Sequence, residues 1–178
     1  MRFIIKFFAS YIFMILYVAC GSNNATQVEH IIALEIDIKK DQAHLNTIEI
    51  NKLKNNLKVA ELNLLSLENK QLDSISVELI YFQYRDYLNC INDMQGFIVE
   101  NELLKKELET NKIQLSNIKL DYQNSRKKRL DLDTHLIHET NLIKQTSKNI
   151  MALIEKFHNR SEKFDSLNKS IENIINEN

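Results

Sequence analysis

From Leu104 onward, seam residues recur at alternating steps of four and three. The series runs Leu104, Leu108, Asn111, Leu115, Ile118, Tyr122, Ser125, Arg129, Leu132, Leu136 and Glu139. It continues through Ile143, Thr146, Ile150, Leu153, Phe157, Arg160, Phe164, Leu167, Ile171 and Ile174. Fifteen of these 21 positions are apolar, against 44% for the whole chain. A 3.5-residue repeat held over 71 residues without a slip keeps one stripe facing a partner helix, which is the coiled-coil signature.

Upstream the same step appears in three phases. Ile31, Leu34, Ile38, Leu45 and Ile48 share one, with Asp41 interrupting. Leu53, Leu57, Ala60, Leu64 and Leu67 take a second, and Leu72, Ile75, Leu79 and Phe82 a third. Such shifts read as stutters inside a continuous helix. The strongest punctuation is Asn89-Cys90-Ile91-Asn92-Asp93-Met94-Gln95-Gly96, Asn-rich and closed by a glycine suited to a left-handed cap. The pattern therefore predicts an all-α fold. Its simplest form is a long antiparallel helical hairpin or coiled coil, with a helix over about 27–90, a turn over about 91–96 and a helix over about 97–176. Further breaks at Asn69–Ser74, Asp121–Ser125 and Asn159–Ser161 would instead give a compact bundle of three to five helices. A homo-oligomeric coiled coil without a hairpin satisfies the same seam.

Composition supports helices and little else. The chain has 178 residues, no Pro, no Trp and two Gly, so a fold built on many tight turns is nearly excluded. Asn, Ile and Lys number 21, 23 and 18, a bias that follows AT-rich codons rather than a chemistry. The net charge is −1, and −3 without residues 1–19, which lack the basic footprint that nucleic acid demands.

The first twenty residues, MRFIIKFFASYIFMILYVAC, divide differently. Arg2 and Lys6 form a positive start, and Phe7 to Ala19 is an uncharged stretch of 13 residues. That is short for a bilayer span and suits the apolar core of a signal peptide. It closes on Val18-Ala19-Cys20, then Gly21-Ser22-Asn23-Asn24. This end resembles the lipobox of bacterial lipoproteins, with Tyr17 where that family usually carries an aliphatic. The resemblance implies a diacylglycerol on the Cys20 thiol, cleavage just before it, and a flexible tether over 20–26. Two acyl chains attach firmly where one is marginal. Gly21 in place of Asp implies the outer membrane, on either its surface or its periplasmic face. With its Asn/Ile/Lys-rich helical body, the chain is loosely similar to the helical surface lipoproteins of spirochaetes. That similarity implies a host protein as partner, in adhesion or in capture of a complement regulator.

Candidate chemistry is sparse. His135 and His138 stand at i,i+3 with Asp131 one turn earlier, a spacing that suits a divalent metal but lacks the HExxH order. Glu155 and His158 form one ExxH, whereas a di-iron bundle needs two on different helices. Both read first as ordinary helix surface, so no metal and no cofactor is expected. Cys90 is the one thiol besides Cys20, placed to pack inside or to pair between molecules. There is no Gly-rich phosphate loop, no Ser-His-Asp set and no CxxC, so no enzyme is expected.

Two surfaces suit a protein partner. In a hairpin anchored at Cys20 the residues near Gly96 lie farthest from the membrane, which nominates Tyr84, Tyr87, Asn92, Asp93 and Met94. The aromatic run Tyr81, Phe82, Tyr84 and Tyr87 would either anchor a partner or wedge the two helices together. The basic run Arg126, Lys127, Lys128 and Arg129 is the second surface, for an acidic face or anionic groups. The functional expectation is a membrane-anchored helical protein that binds a protein partner. The alternatives are a structural envelope coiled coil serving as spacer or assembly partner and, more remotely, a helical metal-binding protein.

Overall fold

The computed structural model describes residues 24–70, 74–124 and 129–176. Residues 1–19, read above as a signal peptide, Cys20 and the run Arg126–Lys128 lie outside the described residues. Among the described residues four helices follow in order: α1 (Ala25–Asn46), α2 (Ile50–Glu68), α3 (Ser74–Asn124) and α4 (Arg129–Asn176). The fold is all-α, and among the described residues there is no strand. Among them, too, no helix is long and apolar enough to cross a membrane.

The seam read from Leu104 to Ile174 is the buried stripe of α3 and α4. Each of its positions with a described side chain is buried or half-buried. Polar members go inside with the rest: Asn111, Glu139 and Thr146 are all buried. The first upstream phase, in α1 and just beyond its end at Ile48, is likewise buried, Asp41 included. Asp41 accepts a hydrogen bond from the Ser147 hydroxyl, which answers its charge in the core.

The turn over 91–96 is not there. Helix α3 runs 51 residues straight through Gly96. Tyr87, Cys90, Met94, Phe97 and Asn101 are buried and continue the four-three step backward from Leu104 without a slip. The Asn89, Asn92, Gln95 and Gly96 positions that suggested a loop all lie on the exposed face. On that face poor helix formers cost only tenths of a kcal/mol each, about 1 for Gly, and the buried stripe decides the conformation. A side chain at Gly96 would meet nothing within 4 Å, so this glycine serves no tight approach.

The breaks fall elsewhere. The jump from Ile48 to Leu53, read as a stutter, is an interruption at 47–49. Thr47 folds back on His44 O through both its amide (3.0 Å) and its hydroxyl (2.7 Å), and Ile48 N bonds Leu45 O at 3.2 Å. Helix α2 then opens from Glu49, whose carbonyl takes the Leu53 amide at 3.0 Å. A five-residue step would swing the apolar stripe well over 100° around a continuous helix. Breaking and restarting lets Ile48 and Leu53 both reach the core. Helix α2 ends at Glu68 and α3 begins at Ser74, as the Asn69–Ser74 signal predicts, and α3 ends at Asn124 with α4 opening at Arg129. The Asn159–Ser161 signal breaks nothing, since α4 is continuous there. The first described helix starts earlier than the expected position 27, because Ala25 and Thr26 are already helical. The third upstream phase fails at Phe82, which is 64% exposed.

By packing, the chain forms two units. Of the described residues, the first takes those within 24–39 and 110–143, and the second those within 40–109 and 144–176. In the first, Ile31, Leu34 and Ile38 of α1, Leu115 and Tyr122 of α3, and Leu132, Leu136 and Ile143 of α4 are the core. Asn24 donates to Tyr122 O (2.8 Å), Lys119 pairs with Glu35 (3.0 Å), and Tyr122 OH donates to Asp133 (2.6 Å). The Thr140 hydroxyl gives its proton to Leu136 O (2.7 Å) and so accepts from His30 Nε2 (3.1 Å).

In the second unit α3 and α4 run antiparallel. Glu107 meets Thr146 (2.5 Å), Phe97 meets Phe157 edge to face (5.9 Å), Asp93 meets Arg160 (2.8 Å) and Tyr87 stacks on Phe164 (5.6 Å). Helix α2 lies alongside both. Asn63 and Tyr87 each donate to Asn168 Oδ1, at 3.0 and 2.6 Å, so one carboxamide of α4 ties α2 to α3. Lys70, just past the end of α2, places its ammonium on Ile174 O (2.5 Å) and Ile175 O (3.2 Å). It supplies the positive charge that the C-terminal end of α4 favours and lacks in its own last turn.

Candidate functional site

Among the described residues, those nominated for partner contact do not share a surface. Tyr87 and Met94 are core residues, 0% and 1% exposed. Burial pushes the Tyr87 phenol up in pKa, partly opposed by the nearby Asn63 carboxamide of α2. Tyr84 is half-buried, Asn92 is exposed, and Asp93 is taken by Arg160. With the turn gone these positions are mid-helix and form no hairpin tip. Arg126, Lys127, Lys128 and Cys20 lie outside the described residues. Cys90 packs inside the second unit, where burial pushes its thiol up in pKa and keeps it the protonated, unreactive form.

One exposed cluster replaces them. At the start of α3, Val77, Tyr81 and Phe82 are 48%, 55% and 64% exposed. The two rings meet edge to face at 5.6 Å, and the Arg85 guanidinium lies 5.1 Å from the Phe82 ring centre. Next to them, Asp86 is held below the usual carboxylate range, chiefly by a hydrogen bond from Lys163 of α4 at 2.7 Å. Helix α2 exposes Val59, Leu62 and Leu65 in the same unit. Running the seam back from Tyr87 reaches Gln83 and Ile80, so Tyr81 and Phe82 fall off it. The same register is present in the sequence, where the loop-like composition of Asn89–Gly96 masks it.

The first unit holds a cleft of about 370 Å³ between α3 and α4. Gln114, Asn117, Ile118 and Asp121 line it from α3, and Leu132, His135, His138, Glu139 and Leu142 from α4. His135 and His138 are both exposed, as is Asp131. Among the described residues no three His, Cys, Asp or Glu side chains stand together so as to hold a metal ion. Glu139 is 3% exposed and its Oε1 has no hydrogen-bond partner among the described residues. Burial pushes its carboxyl above the usual carboxylate range, against a small opposing pull from His138. Its contribution to stability is therefore fully present below the unfolded pKa and is lost as pH rises through the raised folded value.

A polar cleft of about 220 Å³ in the second unit is lined by Glu49, Lys52, His158, Ser161 and Asp165 among others. Glu155 and His158 are both exposed on α4. Comparison of the chain with protein-family models, curated proteins and solved structures finds no match.

Proposed function

We propose that this protein is a lipid-anchored helical protein that binds a protein partner through the exposed start of α3. The observation that supports the contact is the Tyr81–Phe82 pair with Arg85 over the Phe82 ring. Tyr and Arg are enriched where interface energy concentrates, and an exposed Phe adds apolar area. These side chains stand on a long, well-packed helix, so little ordering is required on binding. The anchor rests on the Val18-Ala19-Cys20 sequence behind an uncharged stretch, and the outer membrane on Gly21. A host protein is the partner class that the resemblance to spirochaetal surface lipoproteins suggests.

The test compares the wild-type protein with a Tyr81→Ser/Phe82→Ser variant in capture of serum proteins. A true partner should bind the variant at least tenfold more weakly while its helix content stays unchanged by circular dichroism. Equal binding by both would place the contact elsewhere. The unbroken seam of α3 and α4 favours a second reading, an envelope spacer or assembly protein. Protease treatment of intact cells separates the two, since only a surface protein is removed.

A further inference from the structure

We infer that the polar cleft of the second unit, where α2 restarts beside α4, binds a free α-amino acid with an aliphatic side chain, as its zwitterion. The interruption at 47–49 gives this cleft its place. Thr47 and Glu49 line it from the interruption, facing Phe157 of the α4 seam. Phe157 is only half-buried there, although its seam neighbours Leu153 and Phe164 are 0% and 2% exposed. An aromatic ring is thus left accessible where the helix beside it breaks.

The charges around the ring indicate the ligand. Glu49, Lys52, His158 and Asp165 are exposed and line the same cleft, yet among the described residues no ion pair or side-chain hydrogen bond joins any two of them. Elsewhere in this unit opposite charges close on each other, Asp93 with Arg160 at 2.8 Å and Asp86 with Lys163 at 2.7 Å. Held apart across a cleft, two carboxylates and an ammonium suit a molecule that carries both charges. An amino acid's ammonium has three hydrogens to give, and Glu49 and Asp165 accept them. Its carboxylate requires donors, which the Lys52 ammonium and the Ser161 hydroxyl supply. An aliphatic side chain laid on the Phe157 ring leaves water. The volume, about 220 Å³, is below that of pockets enclosing drug-sized molecules, as a ligand this small requires. The site is independent of the lipid anchor and of the aromatic face at the start of α3.

The test is titration of the full chain, in a non-ionic detergent at neutral pH, with L-leucine, followed by calorimetry. Two analogues run beside it, each with a single charge: N-acetyl-L-leucine, the anion alone, and L-leucinamide, the cation alone. The expected result is saturable binding of L-leucine, with each analogue weaker by roughly tenfold or more, since each leaves one charge-assisted contact unmade. Lys52→Gln, and separately the double variant Glu49→Gln/Asp165→Asn, should weaken L-leucine by a similar factor. All three side chains are exposed, so helix content by circular dichroism should stay unchanged in both variants. An absence of saturable binding, equal affinity for either analogue, or wild-type affinity in either variant would each overturn the proposal. The cleft would then be a solvated groove between helices.

Discussion

Replacing Gly96 with proline should destabilise the protein by about 3 kcal/mol or more, whereas alanine at the same position should stabilise it by about 0.5–1 kcal/mol. Proline inside a helix removes one backbone bond and clashes with the turn before it. Alanine reduces the entropy of the unfolded chain and needs only that the site accept a Cβ. Gly96 lies within α3, is exposed, and leaves open space where that Cβ would stand. Chemical denaturation followed by circular dichroism reads both changes. A glycine in a left-handed cap would give the opposite sign for alanine, so the pair of variants decides between a continuous helix and a turn.

The second large effect lies nine residues earlier. Tyr87→Ala should cost about 3–5 kcal/mol, the usual loss for a buried aromatic. The ring is fully buried against Phe164, and its hydroxyl ends on the carboxamide that also binds Asn63. Tyr87→Phe should cost only about 1 kcal/mol, because Asn168 keeps its other donor and the stack survives. Tyr81→Ala, six residues away and exposed, should change stability by no more than about 0.5 kcal/mol. Thermal or denaturant unfolding of the three variants checks the ordering. If Tyr81 proved as costly as Tyr87, the aromatic run would be core throughout and the proposed contact face would be lost.

The seam was legible because packing imposes it directly. From Leu104 to Ile174 the four-three step names buried positions even where the residue is Asn111, Glu139 or Thr146. A 3.5-residue repeat depends on position, and it survives substitutions at single sites. The region before Leu104 was harder because two signals conflicted. Local composition at Asn89–Gly96 favours a turn, while Tyr87, Cys90, Met94 and Phe97 carry the seam through it. Burial of those four side chains outweighs a few exposed residues of low helix propensity.

The interruption at 47–49 has no Gly or Pro to mark it. Its trace in the sequence is the five-residue jump from Ile48 to Leu53, which a stutter and a break produce alike. The candidate contact face follows from the same register. Once Tyr87 is on the seam, Tyr81 and Phe82 must lie off it. The unsatisfied oxygen of Glu139 was beyond sequence reasoning, since the repeat gives the position of a side chain and not the partners of its atoms.

Cys20 is the proposed attachment point, and every step from chain to membrane passes through it. The measurement that addresses this most directly is the intact mass of the protein purified from its own membranes. The expected species begins at Cys20 and carries added mass for a diacylglycerol, and Cys20→Ala should yield only uncleaved, unacylated precursor. A wild-type protein that retains residues 1–19, or begins elsewhere with no lipid, would contradict the anchor and with it the assignment to the membrane.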